Sequence, residues 1–234
     1  MPSPKMKLPL KFLCFFYFTI SMIYGVDKWK SGNFFNIVTL DKLHTSSFQY
    51  LLNGKKVELT IHKSRSISHP YGEGQKNFLL YSNRKNKLGE WIPDAEAMLP
   101  KDASRLLFIL KKKANPSVKG QIYDIHVLKD DLNSFSQGSL RFINFCDQPT
   151  AFEIGKEKFI VNPESGHTIS NPSENNLDVR VKAYQMIQTE NQFTNKLVYI
   201  NAWSQRDNQR TDVLISKKKN KNVTIERIKQ TINE

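Results

Sequence analysis

Two runs of three lysines end apolar segments of the sequence. Lys111, Lys112 and Lys113 form one run, and Lys217, Lys218 and Lys219 form the other. Lysine ammonium groups attract sulfate, carboxylate and phosphate groups over a distance that salt shortens. The two runs therefore predict a patch for an anionic glycan or an envelope surface. The plainer alternative is that lysines at strand ends only discourage sheet edges from associating.

A second set of candidate residues combines acids with a histidine. Asp124, His126, Asp130 and Asp131 would support a secreted hydrolase if they converged in space, because carboxylates and imidazoles carry acid–base catalysis. Asp124 and His126 alternate with apolar residues along a predicted strand, which is typical of the solvent-facing side of a strand. We therefore predict neither a metal site nor a cofactor. Motifs of serine hydrolases, zinc proteases, phosphate loops and zinc fingers are absent from the sequence. A non-catalytic protein is therefore favoured, with the hydrolase as the alternative.

Cys146 lies beside Phe142, Ile143 and Phe145, which predicts a buried and unreactive thiol. The other cysteine, Cys14, falls in a segment that we expect to be removed. The remaining chain therefore has no partner for an intramolecular disulfide.

The first 25 residues are predicted to be a signal peptide. Lys5, Lys7 and Lys11 precede an apolar run, residues 12–24, that is too short to span a bilayer core of about 30 Å as a helix. The protein is then exported to the periplasm, the outer envelope or the medium, with no transmembrane helix after cleavage; a retained anchor is the alternative. The formal net charge of +13 favours anionic partners. No specific nucleic-acid recognition is predicted.

Short apolar segments between turn residues predict an all-β fold, most simply a sandwich of two antiparallel sheets. The apolar run 106–110 is predicted to be a strand buried on both faces. An Asn53-Gly54 turn predicts a hairpin, and a turn from Pro163 to Gly166, with Gly166 in a positive-φ conformation, predicts a meander. Residues 88–101 are predicted to be irregular with one helical turn at 94–98, and residues 223–234 to be a short helix or tail.

The predicted domains are a signal peptide at 1–25, a β domain at 26–216, and a basic linker with a short helix or tail at 217–234. Within the β domain, halves at 34–133 and 134–216 show a weak internal repeat. Three pairs of segments carry it: Val57 to Leu59 with Phe152 to Ile154, Phe78 to Tyr81 with Val181 to Tyr184, and the strand at Arg105 with the strand at Arg210.

The order of the predicted elements is distinctive. It consists of an RFIN strand from Arg141 to Asn144, a proline turn, a short hairpin, the Pro163 to Gly166 turn and a late tryptophan strand. In this order the chain resembles a group of exported bacterial β-rich proteins with no assigned activity. The resemblance covers most of the chain after the signal peptide. It implies a non-catalytic binding or structural β module of the bacterial envelope, and it implies no catalytic residue, ligand or cofactor.

Overall fold

The computed structural model describes residues 32–61, 66–170, 172, 178–189, 192–218 and 222–232. The predicted signal peptide and Lys219 lie outside these residues. The described residues form strands and turns without a helix, which confirms the all-β prediction. None of them belongs to a helix that is long and apolar enough to cross a membrane.

The first half of the chain, as far as it is described, forms two four-stranded sheets. Sheet A has the order β4-β1-β7-β8, and sheet B has the order β3-β2-β5-β6. The strands are β1 (Phe34–Thr39), β2 (Ser47–Leu52), β3 (Lys55–Thr60), β4 (His69–Pro70), β5 (Asn77–Lys85), β6 (Trp91–Met98), β7 (Arg105–Lys112) and β8 (Tyr123–Lys129).

The described residues of the second half form two further sheets of four strands. Sheet C has the order β12-β9-β15-β16, and sheet D has the order β11-β10-β13-β14. The strands are β9 (Leu140–Asn144), β10 (Thr150–Ile154), β11 (Glu157–Val161), β12 (Gly166–Ile169), β13 (Val179–Thr189), β14 (Gln192–Trp203), β15 (Gln209–Lys217) and β16 (Val223–Thr231). The described residues thus form four sheets, where the sequence predicted two.

The two halves have the same strand connectivity. Adding eight to each strand number converts sheet A into sheet C and sheet B into sheet D. In both halves the first strand pairs in parallel with the seventh, β1 with β7 and β9 with β15. Two of the predicted repeat pairs lie in matching strands, β5 with β13 and β7 with β15. The third pair is wrong, because it joins β3 to β10, and β10 matches β2.

Each half has a hydrophobic core that contains side chains from both of its sheets. In the first half, the ring centroid of Phe35 on sheet A lies 5.0 Å from that of Phe78 on sheet B. It lies 4.7 Å from that of Phe108, which is also on sheet A. In the second half, the rings of Phe142 on sheet C and Phe152 on sheet D are 4.8 Å apart. Burial of these large apolar rings stabilises the pairing of sheets within each half.

A third cluster joins sheet A to sheet C, and we call it the A–C interface. Its buried members are Val38, Leu107, Ile109, Ile143, Phe145 and Leu214. Because sheets A and C each contact a core on one face and this cluster on the other, β7 is buried from Arg105 to Leu110 and β15 from Arg210 to Ile215. The prediction that 106–110 is buried on both faces is confirmed.

A buried carboxylate connects the end of β8 to two arginines of the second half. The fully buried Asp130 accepts hydrogen bonds from Arg141 at 3.0 Å and from Arg210 at 2.9 Å. Arg141 also donates to Asp212 at 2.7 Å, and the Phe135 ring lies against both guanidinium groups. Burial alone would lower the pKa of Arg141, but the carboxylates of Asp212 and Asp130 outweigh it and raise that pKa. Arg141 therefore stays charged.

Residues 91–98 correct the predicted irregular segment, because they form strand β6 rather than a helical turn. Pro93 lies where the register between β5 and β6 shifts. Since β6 is the edge strand of sheet B, one missing backbone N–H is tolerated there.

The predicted helix or tail at the C-terminus is also wrong. Val223–Thr231 forms β16, which pairs antiparallel with β15 along its whole length. Ile225 contacts the core of the second half, whereas Ile228 packs at the A–C interface. Apolar residues three apart therefore lie on opposite faces of one strand, each against a different layer.

The local sequence predicted the conformation of one turn correctly and that of another turn incorrectly. Asn53 and Gly54 both have positive φ, 49° and 76°, and join β2 to β3 as the predicted two-residue hairpin. In the turn after β11, Glu164 has the positive φ, at 54°, rather than Gly166. That turn passes the chain from sheet D to sheet C and does not form a meander.

We predict that Asp130→Asn lowers the free energy of unfolding by about 3–5 kcal/mol, because two buried arginines lose their shared carboxylate. Urea denaturation measures this change. Among the described residues, the carboxylate of the neighbouring Asp131 accepts from the backbone N–H and the hydroxyl of Ser134, so Asp131→Asn should cost less than about 1 kcal/mol. Equal losses in the two variants would show that Asp130 has no special role.

Candidate anion-binding site

A lysine-rich cavity of about 980 Å³ opens beside the A–C interface, and we call it the lysine cavity. It brings together residues that are about a hundred positions apart in the sequence. The lining residues are Thr39, Leu40, Asp41, Lys42, Lys111, Lys112, Lys113, Ala114, Asp124, Phe145, Ser216, Lys217, Lys218 and Glu226. Five of the six lysines predicted as a patch thus line one cavity, and the sixth, Lys219, lies outside the described residues.

Two interior strands position these lysines. β7 lies between β1 and β8, and β15 lies between β9 and β16. Each strand is largely buried until its last two residues, which become partly or fully exposed. Ammonium groups are costly to bury, so the lysines begin where the burial ends. Because neither strand is at a sheet edge, lysines at their ends do not serve to protect an edge.

Ion pairs leave most of this positive charge without a carboxylate partner. Lys113 pairs with Asp124 across β7 and β8, and Lys217 pairs with the exposed Asp147 at 3.1 Å. Among the described residues, no carboxylate lies within ion-pair distance of the other lysines of the cavity. These are Lys42, Lys111, Lys112 and Lys218.

Backbone and aromatic contacts fix the base of the cavity. Asp41 accepts a hydrogen bond of 2.7 Å from the backbone N–H of Lys112, which ties the end of β1 to the end of β7. The ammonium group of Lys111 lies 5.9 Å from the centre of the Phe145 ring. Phe145 is itself buried at the A–C interface. The cavity therefore has an apolar base and a charged rim.

His126 lies next to this region on β8 and packs edge-on against Phe145, with ring centroids 4.8 Å apart. Burial lowers the pKa of His126 below 6.5, and the ammonium group of Lys111 lowers it further, against Asp124 and Glu164, which raise it. His126 is therefore neutral at pH 7 and adds no positive charge.

The acids proposed for a hydrolase each have a different partner. Asp124 pairs with Lys113, Asp130 with two buried arginines, and Asp131 caps the turn at Ser134. His126 contacts Phe145 instead of one of these carboxylates. Within the described ranges, no group of three or more His, Cys, Asp and Glu side chains could hold a metal ion.

Two tryptophans lie in different environments. Trp203 is buried in the core of the second half, whereas Trp91 is partly exposed on sheet B, with the ammonium group of Lys56 3.6 Å from the centre of its ring. Sequence reasoning missed Lys42 and Glu226 as cavity residues. Lys42 lies in the loop after β1, and Glu226 belongs to the segment predicted to be a helix or tail, so only the sheet topology brings them here.

Comparison with known proteins gives no assignment to a family. No protein-family model matches the chain, and no curated protein shows significant sequence similarity to it.

We predict that the thiol of Cys146 reacts very slowly with iodoacetamide at pH 8 in the native protein. It is buried, and burial together with Asp147 raises its pKa to about 11, against the opposing effect of Lys217 and Lys111. The thiolate that would react is therefore scarce below that pH. Mass spectrometry should show fast labelling only in denaturant; equally fast labelling without denaturant would mean that the thiol is accessible.

Proposed function

We propose that the protein is an exported, non-catalytic β protein of the bacterial envelope, built as two tandem β-sandwiches, that binds an anionic glycan in the lysine cavity. The observation that carries this proposal is the meeting of five lysines from the two runs in one cavity. Six lysines and three carboxylates line it, so it favours a negatively charged ligand. The sandwich arrangement is supported by the shared core of the two sheets in each half.

The shape of the cavity favours a glycan over a membrane surface. A lipid headgroup layer is broad and flat, whereas these lysines surround a concave space between two sheets. A single polymer strand carrying sulfate, carboxylate or phosphate groups can enter such a space. Nucleic acid is disfavoured because single strands bind largely by stacking on exposed aromatic rings, and Phe145 in the lining is buried.

Export is supported by the N-terminal pattern of lysines followed by a short apolar run. A mature N-terminus between residues 22 and 28 is expected in the native protein. Intact-mass measurement checks this, and a native chain that keeps Met1 in a soluble cytoplasmic fraction would contradict export.

The binding proposal predicts that a sextuple variant loses retention on heparin, which serves as the anionic probe. In this variant Lys111, Lys112, Lys113, Lys217, Lys218 and Lys219 are changed to Ser. The slope of log affinity against log salt should fall by about 1 for each lysine that contacts the ligand. Salt-gradient elution and binding titrations measure both quantities.

A charge-matched control separates a local site from general basicity. In this control variant, six exposed lysines outside the cavity are changed to Ser: Lys55, Lys56, Lys76, Lys87, Lys101 and Lys119. Both variants lose the same net charge, but only the cavity variant should elute much earlier. If both elute alike, the proposed site is wrong. Retention of the parent protein on phosphatidylglycerol vesicles but not on heparin would assign a membrane partner instead.

A further inference from the structure

The two lysine runs occupy matching positions in the two halves. Lys112 and Lys113 lie seven and eight residues after Arg105, and Lys217 and Lys218 lie seven and eight residues after Arg210. The registers of the parallel strands support this alignment. Leu106, the residue after Arg105, pairs with Phe35 of β1. Thr211, the residue after Arg210, pairs with Leu140 of β9.

The A–C interface is built from the same face of each half. Val38 pairs with Ile109 in sheet A, and at the matching positions Ile143 pairs with Leu214 in sheet C. All four residues lie in the interface, and so do the matching residues Leu128 and Ile228 of β8 and β16. A contact between two copies of one face is isologous, which requires an approximate two-fold axis between the halves.

Matching residues from both halves also line the lysine cavity. Leu40 lies two residues after Val38, and Phe145 lies two residues after Ile143; both line the cavity. Lys112 with Lys217 and Lys113 with Lys218 are two further matching pairs in the lining. The cavity therefore lies across the approximate two-fold axis, and each half contributes two of the four lysines at matching positions.

We propose, building on the function proposed above, that the lysine cavity is one composite site that holds a single linear polyanion across this axis. Lys112 and Lys113 hold one anionic group of the chain, and Lys217 and Lys218 hold another. The ligand class is thus a polymer or oligomer with at least two anionic groups in succession. Once one pair has bound, the second contact is intramolecular, so the affinity far exceeds that of either pair alone.

The experiment is calorimetric titration with a heparin-derived hexasaccharide at low salt. The proteins are the parent, Lys112→Ser/Lys113→Ser, Lys217→Ser/Lys218→Ser and a control, Lys55→Ser/Lys87→Ser. A composite site binds one hexasaccharide, and each cavity variant weakens binding by about tenfold or more. The control should match the parent in both stoichiometry and affinity.

Two separate lysine patches would give a different result. The parent would then bind two hexasaccharides, and each cavity variant would bind one with unchanged affinity, which would overturn the composite site but leave the anion-binding function intact. A parent that binds no hexasaccharide would overturn both. Because Lys113 also pairs with Asp124 and Lys217 with Asp147, the single changes Lys112→Ser and Lys218→Ser provide a second set; unchanged affinity in both would overturn the proposal.

Discussion

The back-to-back contact between sheets A and C determines which strands are buried on both faces and where charged residues can lie. Their central strands are buried on both faces because a core lies on one side and the other half of the protein on the other. Such a contact must exclude water from its apolar centre and pair any charge that it buries. Asp130 meets the second requirement, since its carboxylate accepts from Arg141 and Arg210 of the second half.

The same contact explains where the charge of the lysine cavity comes from. β7 and β15 can carry only apolar or paired residues while they lie between layers, so their lysines follow at the strand ends, where the burial stops. Because the halves match strand for strand, both ends reach the same cavity. The arrangement thus brings the described lysines of two separate basic runs into one cavity.

Local patterns in the sequence predicted the parts of the fold that depend on local physics. The Asn53-Gly54 hairpin and the doubly buried β7 are examples, because backbone conformation and a continuous apolar run specify them. β16 was predicted wrongly because Ile225 and Ile228 have helical spacing. In the structure they face different layers, and the sequence of one strand does not show which layers pack against its two faces. Likewise, the lysine runs were visible as a candidate patch, but Lys42, Glu226 and the partners of Asp130 depend on long-range topology.

A crystal structure of the protein with a bound heparin-derived hexasaccharide would show whether both halves hold one anionic ligand in the shared cavity. We expect one oligosaccharide in the cavity, with anionic groups within hydrogen-bond distance of a lysine from each run, such as Lys112 and Lys217. An oligosaccharide bound elsewhere, or held by the lysines of only one half, would contradict this expectation.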